Sequence, residues 1–155
     1  MTENARNTIT IKGEPIFGEA LASGTIKPGH LIERTSAAAD TVIVHQTSGG
    51  RAMAMFAIED DLQGNDIDDS YLTTVLTQFA IFRAGDEVLG WIANGEDIAK
   101  NDDLISAGTG ELKESTPDSS GTILEDFVVA RAREACDMSD SSSVDPSGRC
   151  IVEIQ

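Results

Sequence analysis

The sequence predicts a mainly β protein, with a compact body of barrel or sandwich type, an extended N-terminal arm and long polar loops. Short runs of apolar and β-branched residues alternate with turn residues, and the 155-residue chain contains 14 glycines. An internal repeat supports this class: an isolated Ile, a turn and a Leu-Ile pair occur at 26–32 and again, 72 residues later, at 98–105. We assign residues 1–24 to the arm and residues 25–155 to the body.

The predicted arm begins with polar residues 1–8 and continues with alternating apolar and polar residues over 8–12. This alternation has the period of two that a strand requires. Glycine and proline then interrupt the chain repeatedly, so we expect an irregular, extended approach to the body; the interrupting residues are Gly13, Pro15, Gly18 and Gly24.

The body contains five apolar runs that predict strands, at 31–32, 41–44, 52–58, 88–92 and 150–154. Residues 59–70 hold six acids and no base and predict an exposed loop, as do the polar stretches 115–121 and 137–148. Residues 124–136 fit either an amphipathic helix or a strand. The apolar run at 150–154 favours a closing β-hairpin, and therefore a strand.

Acidic residues dominate the composition: 27 Asp and Glu against 11 Lys and Arg give a formal net charge of −16. Residues 1–34 hold four residues of each sign, so the remaining 121 residues carry the whole excess. Such a charge repels nucleic acid and anionic membranes, and no apolar run reaches the length of about 18 residues that a membrane span needs. The asymmetry predicts a neutral docking side and an acidic solvent side, although acidity also favours solubility alone.

Patterns typical of enzymes are missing from the sequence. The chain has two histidines, His30 and His45, and no Gly-x-Ser-x-Gly elbow around a nucleophile. Gly108 and Gly110 lack the Gly-Lys-Ser/Thr that completes a phosphate loop. His30 and Glu33 have no further ligand at metal-binding spacing. We therefore expect neither catalysis nor a cofactor.

The cysteines and the acidic loops each allow two interpretations. Cys136 and Cys150 are free thiols by the usual rule for cytoplasmic proteins, but paired strands would bring them within bonding distance. The loops 59–69 and 96–103 lack the ligand order of an EF-hand. Residues 137–145 offer oxygen ligands for calcium, but their composition is also that of a flexible polar turn.

Three parts of the chain resemble the decoration, or cement, proteins of tailed-bacteriophage capsids. These are residues 26–32 (Ile-Lys-Pro-Gly-His-Leu-Ile), residues 90–104, and the end, where 128–135 and 149–154 look like the closing hairpin of that family. The resemblance implies a small β-barrel or β-tulip body that trimerises and binds the outer shell at three-fold positions. It also implies the major capsid protein as partner, the virion exterior as location, and assembly in the host cytoplasm.

The resemblance directs attention to the arm as the element that attaches to the capsid. We predict that Ile9, Ile11, Ile16 and Phe17, together with Arg6, bind the shell. Apolar side chains in a stretch broken by Gly and Pro cannot easily build a core of their own, whereas a partner strand would bury them. In a rival arrangement, the arm folds back as an edge strand of the body.

A second apolar cluster is predicted to form the trimer contact. Phe79, Ile81, Phe82 and Trp91 offer more large apolar surface than one small barrel needs. Closed symmetric rings are the usual outcome when identical subunits associate.

Two other classes of function fit parts of the sequence. A carrier domain of lipoyl type would bear a covalently modified Lys100 at a hairpin tip. A ligand-binding β-barrel protein would have a polar pocket around His30 or His45. Intact mass spectrometry detects the first, and a ligand screen by thermal shift detects the second.

Overall fold

The computed structural model describes residues 6–37, 39–116, 126–139 and 148–155, and the regular secondary structure in these ranges consists of β-strands. Residues 1–5 of the predicted arm and parts of two predicted loops, 117–125 and 140–147, lie outside the described residues, as does Ala38. The strands are β1 (Thr10–Lys12), β2 (Ile16–Ala22), β3 (Ile32–Arg34), β4 (Thr41–Val44), β5 (Met55–Ala57), β6 (Leu76–Ile81), β7 (Glu87–Trp91), β8 (Asp97–Ile98), β9 (Asp103–Ser106), β10 (Leu112–Glu114), β11 (Ala130–Ala132), β12 (Cys136–Asp137) and β13 (Arg149–Ile154). The predicted mainly β class is confirmed.

The strands form three sheets. A six-stranded antiparallel sheet has the order β1-β7-β13-β11-β9-β10, and β12 pairs with β8 in a two-stranded sheet. A five-stranded sheet has the order β3-β4-β2-β6-β5, in which the β2–β4 pair is parallel. The sheets are not closed into a barrel, which differs from the predicted barrel body. The two edges of the five-stranded sheet meet at an isolated bridge between Leu31 and Phe56, without forming a ladder between β3 and β5.

The first two strands pair with strands of different sheets. β1 pairs with β7 in the six-stranded sheet, the chain turns at Gly13, and β2 then pairs with β6 in the five-stranded sheet. Gly13 has a φ of +115°, a conformation that only glycine adopts without strain. The described part of the predicted arm is therefore joined to the body, as in the rival arrangement.

Ile9 shows why the N-terminal residues join the body. Its side chain is fully buried, its N–H donates to the Glu59 carboxylate (2.9 Å), and its carbonyl accepts from the Leu89 N–H (2.8 Å). An alternating strand pattern requires a partner strand but does not specify which chain supplies it. Here the molecule supplies its own partner.

Buried apolar side chains form two clusters. The larger packs against the six-stranded sheet and contains Val88, Leu104 and Val152, among others, and the smaller lies within the five-stranded sheet. The neighbouring strands β5 and β6 contribute to both clusters: Ala80 lies in the larger and Phe79 in the smaller. The outward face of β2 lies beyond both clusters and stays exposed.

A buried arginine ties the six-stranded sheet to the turn at Pro28 and to the acidic loop. Arg149 on β13 donates to the Pro28 carbonyl (3.2 Å) and to the Ile67 carbonyl, and it pairs with the Asp68 carboxylate (3.0 Å). Its guanidinium lies over the Trp91 ring, 4.4 Å from the centroid. The predicted exposed loop is thus anchored here, where Ile67 is buried, as well as at Glu59.

Candidate docking surface

The surface of the five-stranded sheet is nearly free of charge, in contrast to the rest of the molecule. Its strands contain three charged residues, Glu19, Glu33 and Arg34, and β4, β5 and β6 contain none. The run 70–82 has no Asp, Glu, Lys or Arg, whereas the preceding residues 59–69 hold six acids. The chain has a net charge of −16, so a negatively charged partner meets the least electrostatic repulsion at this surface.

Large apolar side chains are exposed on this neutral surface. Eight large hydrophobic residues are exposed in the described ranges, and five of them lie on β2 or on the turn that precedes β6. We call these five, Ile16, Phe17, Leu21, Leu72 and Val75, the β2 strip. Phe17 is 64% exposed. Exposed apolar residues concentrated on one strand and the turn bonded to it are typical of an interaction site, whereas single exposed hydrophobic residues are ordinary.

The alternation of β2 decides which side chains face solvent. Phe17, Glu19 and Leu21 point outward, whereas Ala20 lies in the core of the sheet. Gly18 makes room for that core, because a Cβ at Gly18 would lie 2.6 Å from the ring of Phe79. The Phe79 ring therefore packs across β2 from the inside, and Phe17 is left on the outside.

The turn that carries two members of the β2 strip is strained. Thr74 has a φ of +71°, a left-handed conformation that β-branched residues rarely adopt. The Ala22 N–H donates to the Val75 carbonyl (2.9 Å), and the Thr74 N–H donates to the Ala22 carbonyl (2.8 Å). These two bonds to β2 hold the turn in place. Strain that neighbouring structure maintains is typical of functional sites, and here it presents Leu72 and Val75 to solvent.

The structure separates the residues that were predicted to bind the capsid. Ile16 and Phe17 are exposed and adjacent at the start of β2. Arg6 lies elsewhere, in an ion pair with Glu134 (3.0 Å). Ile9 is buried, and Ile11 is half-buried against the larger core cluster. Of these residues, only Ile16 and Phe17 are exposed members of β2, and the alternation of the strand directs their side chains to opposite faces.

The residues predicted to form the trimer contact are not grouped on the surface. Phe79 and Phe82 are buried within the protomer, in different core clusters. Ile81 and Trp91 are half-buried and lie on strands of different sheets. Phe79 and Phe82 therefore have almost no exposed surface left for a contact with another protomer.

Sequence reasoning missed Leu21, Leu72 and Val75. The signal that could have found them is the uncharged run 70–82, which follows directly after the acidic loop. A quarter of the residues in the chain are charged, so thirteen successive uncharged residues are unusual. Such a run indicates either a buried segment or a docking surface, and strand β6 and its preceding turn supply both.

Trp91 lies at the centre of a cationic cluster that the sequence did not reveal. The Lys27 ammonium lies 5.1 Å from the ring centroid, and His30 meets the ring edge-on at 5.9 Å. The Trp91 indole N–H donates to the Pro28 carbonyl (2.8 Å). Burial, reinforced by the nearby charges of Lys27 and Arg149, lowers the pKa of His30 to about 4. His30 is therefore neutral at pH 7 and acts as a packing residue.

His45, Ser106 and Glu33 form a group that resembles a catalytic triad only in composition. His45 Nδ1 lies 2.7 Å from Ser106 Oγ, and its Nε2 lies 3.6 Å from a Glu33 oxygen. Ser106 is fully buried, and its Oγ also accepts from the Gly108 N–H (3.1 Å). A nucleophile must reach its substrate. The group therefore serves to satisfy buried polar atoms.

One group of potential metal ligands exists in the described ranges. Atoms of Glu134, Cys136 and Cys150 lie within 4.8 Å of one another. The two cysteines form a disulfide that joins β12 to β13, so their sulfur atoms are not free to bind a metal. No such group of carboxylates forms at 59–69 or 96–103, while residues 140–145 of the third acidic loop lie outside the described residues.

Lys100 lies in a turn between strands of different sheets. β8, which precedes it, pairs with β12, whereas β9, which follows it, pairs with β10 and β11. Lys100 is exposed, and the next residue, Asn101, has a φ of +76°. Because β8 and β9 do not pair, Lys100 is not at the hairpin tip that a lipoyl-type carrier requires.

No helix in the described part of the chain is long and apolar enough to cross a membrane.

Comparisons with known proteins identify a similar fold. No family model and no curated protein matches the chain. Among solved structures, the chain is similar to the N base of the head fiber protein gp8.5 in bacteriophage phi29, with 12% sequence identity and a TM-score of 0.58. The likeness covers 92% of this chain and 95% of that chain. The two chains therefore share a fold over nearly their whole lengths.

Proposed function

We propose that this chain is a structural protein of a tailed-bacteriophage virion, which decorates and stabilises the outer surface of the capsid. The similar solved structure is the base of a phage head fiber, and the likeness covers nearly all of both chains. The resemblance of three sequence segments to capsid decoration proteins supports the same setting. The proposed role requires neither catalysis nor a cofactor.

The observation that carries the proposal is the β2 strip. Five exposed apolar side chains lie on β2 and on the turn before β6, at the least charged sheet of a chain of net charge −16. Exposed to water they favour aggregation, whereas burial against a partner stabilises the complex. The proposed partner is the major capsid protein, and the acidic loop 59–69 stays in solvent.

We also propose that the capsid-bound protein is a trimer at three-fold positions. Copies that each carry −16 repel one another, so a contact between them requires a surface with few charges. Light scattering at several concentrations measures the mass of the free protein, and released capsid-bound protein can be measured in the same way. A monomer in both forms would exclude the trimer.

Co-sedimentation with purified, expanded capsids tests the docking surface. Phe17→Asp should weaken binding at least about tenfold. Burial of the Phe17 side chain should stabilise the complex by about 1.5–3 kcal/mol, and the substitution replaces that side chain with a charge. Leu62→Asp is the matched control: Leu62 is 100% exposed in the acidic loop, and its substitution should change binding less than about twofold. Equal binding by the two variants would rule out the β2 strip as the attachment surface.

A further inference from the structure

Strand β2 has a partner along only part of one of its sides. On the β6 side, β2 is paired from Ile16 to Leu21. On the β4 side, the ladder contains only Leu21 and Ala22, which pair with Thr41 and Val42. In the described ranges, residues 16–20 have no strand beside them on that side.

The hydrogen bonds at the end of β2 show which backbone groups face each side. The Leu21 N–H donates to the Asp40 carbonyl (3.3 Å), toward β4. The Ala22 N–H donates to the Val75 carbonyl (2.9 Å), toward β6. The backbone groups of successive strand residues point to opposite sides. Odd-numbered residues of β2 therefore direct their backbone groups toward the β4 side.

Phe17 and Glu19 consequently direct four backbone groups toward the open side. Each supplies one N–H and one carbonyl, in the spacing that an added strand would use. The side chains at this edge are exposed as well, because Ile16, Phe17 and Glu19 all face solvent. An open edge with exposed apolar side chains is a template for strand addition, and isolated proteins usually protect such edges.

We propose that an extended segment of the capsid protein binds here by adding a strand beside residues 16–20, in line with β4. This inference rests on the proposed function and specifies how the partner is bound. The chemistry of the edge defines the segment: apolar side chains to cover Phe17 and Leu21, and a Lys or Arg to meet the exposed Glu19 carboxylate. A segment of this kind complements the acidic chain, whereas a second copy brings another −16.

A proline at Glu19 separates strand addition from side-chain docking. The Glu19 N–H faces the open side, so Glu19→Pro leaves the β2–β6 ladder intact but removes a donor and blocks the edge. Glu19→Ala is the matched control, because it removes the same side chain and keeps the N–H. We expect Glu19→Pro to bind capsids at least about tenfold more weakly than Glu19→Ala. Unfolding curves check that both variants fold.

Hydrogen exchange of the unmodified protein provides an independent measurement. The Phe17 and Glu19 amides should exchange quickly in the free protein and become protected on the capsid, whereas the Gly18 and Ala20 amides are protected in both states. Equal capsid binding by Glu19→Pro and Glu19→Ala, without new protection, would overturn strand addition. If Phe17→Asp still weakens binding in that case, the proposed function survives.

Two further outcomes would also overturn the inference. Protection of Phe17 and Glu19 that rises with protein concentration in the absence of capsids would show that a second copy occupies the edge. Failure of the unmodified protein to bind capsids at all would refute the proposed function, and the strand addition with it.

Discussion

Replacement of Arg149 by Met tests the junction that holds the six-stranded sheet, the turn at Pro28 and the acidic loop together. The Arg149 side chain is 2% exposed and donates to the carbonyls of Pro28 and Ile67. Arg149→Met retains most of the side-chain volume but removes every donor. The Pro28 carbonyl keeps the indole N–H of Trp91 as a donor at 2.8 Å, whereas the Ile67 carbonyl loses the guanidinium.

The magnitude follows from these contacts. An orphaned buried carbonyl costs about 1–3 kcal/mol, and the lost cation–π contact with Trp91 adds about 1–2 kcal/mol. The Asp68 carboxylate is 74% exposed, so water replaces its partner and its ion pair contributes little. We therefore expect Arg149→Met to lower the free energy of unfolding by about 2–5 kcal/mol, measured by urea denaturation at pH 7.

The control for this prediction is a second Arg→Met substitution at an exposed ion pair. Arg131 pairs with Asp103 at 3.0 Å, and the two side chains are 46% and 44% exposed. Arg131→Met should cost less than about 1 kcal/mol. Equal losses in the two variants would refute the role of Arg149 as the junction between the six-stranded sheet and these two loops.

Two further predictions concern pH and the disulfide. Unfolded His30 takes up a proton near pH 6.5 but folded His30 only near pH 4, so the free energy of unfolding should fall by about 2 kcal/mol between pH 7 and pH 5. Urea denaturation across this range should show a smaller fall in His30→Gln, and an unchanged pH dependence would contradict the buried neutral histidine. The Cys136–Cys150 disulfide closes a loop with a sequence separation of 14, so its loss should cost about 3 kcal/mol. A reducing agent should lower the stability of the natural chain but not that of the double Cys→Ser variant; identical stability of the natural chain with and without the agent would exclude the bridge.

The fold class was predictable because strand patterns are local. The run 41–44 coincides with β4, the runs 88–92 and 150–154 overlap β7 and β13 to within one residue at each end, and residues 130–132 are strand rather than helix. The pairing partners were not predictable. The pattern at 8–12 fits pairing with β7 of the same chain as well as it fits pairing with another protein. The arm was therefore assigned to a partner, although the described part pairs within the molecule.

Burial of individual aromatic residues depends on neighbours that the sequence does not place together. Phe17 and Phe79 both lie in strands with alternating patterns, and the sequence distinguishes them in no obvious way. Phe79 is buried because its ring packs on Gly18, which is distant in sequence and opposite in the ladder. Cys136 and Cys150 likewise meet only because β12 and β13 lie close together in the fold.

The central claim is that the neutral five-stranded sheet binds the shell, and cryo-electron microscopy of capsids saturated with the protein tests it most directly. We predict density on the outside of the capsid at three-fold positions, with β2 and the 72–75 turn against the major capsid protein. The acidic loop 59–69 should face solvent. Density in which this loop contacts the shell while Phe17 and Leu72 face solvent would contradict the claim.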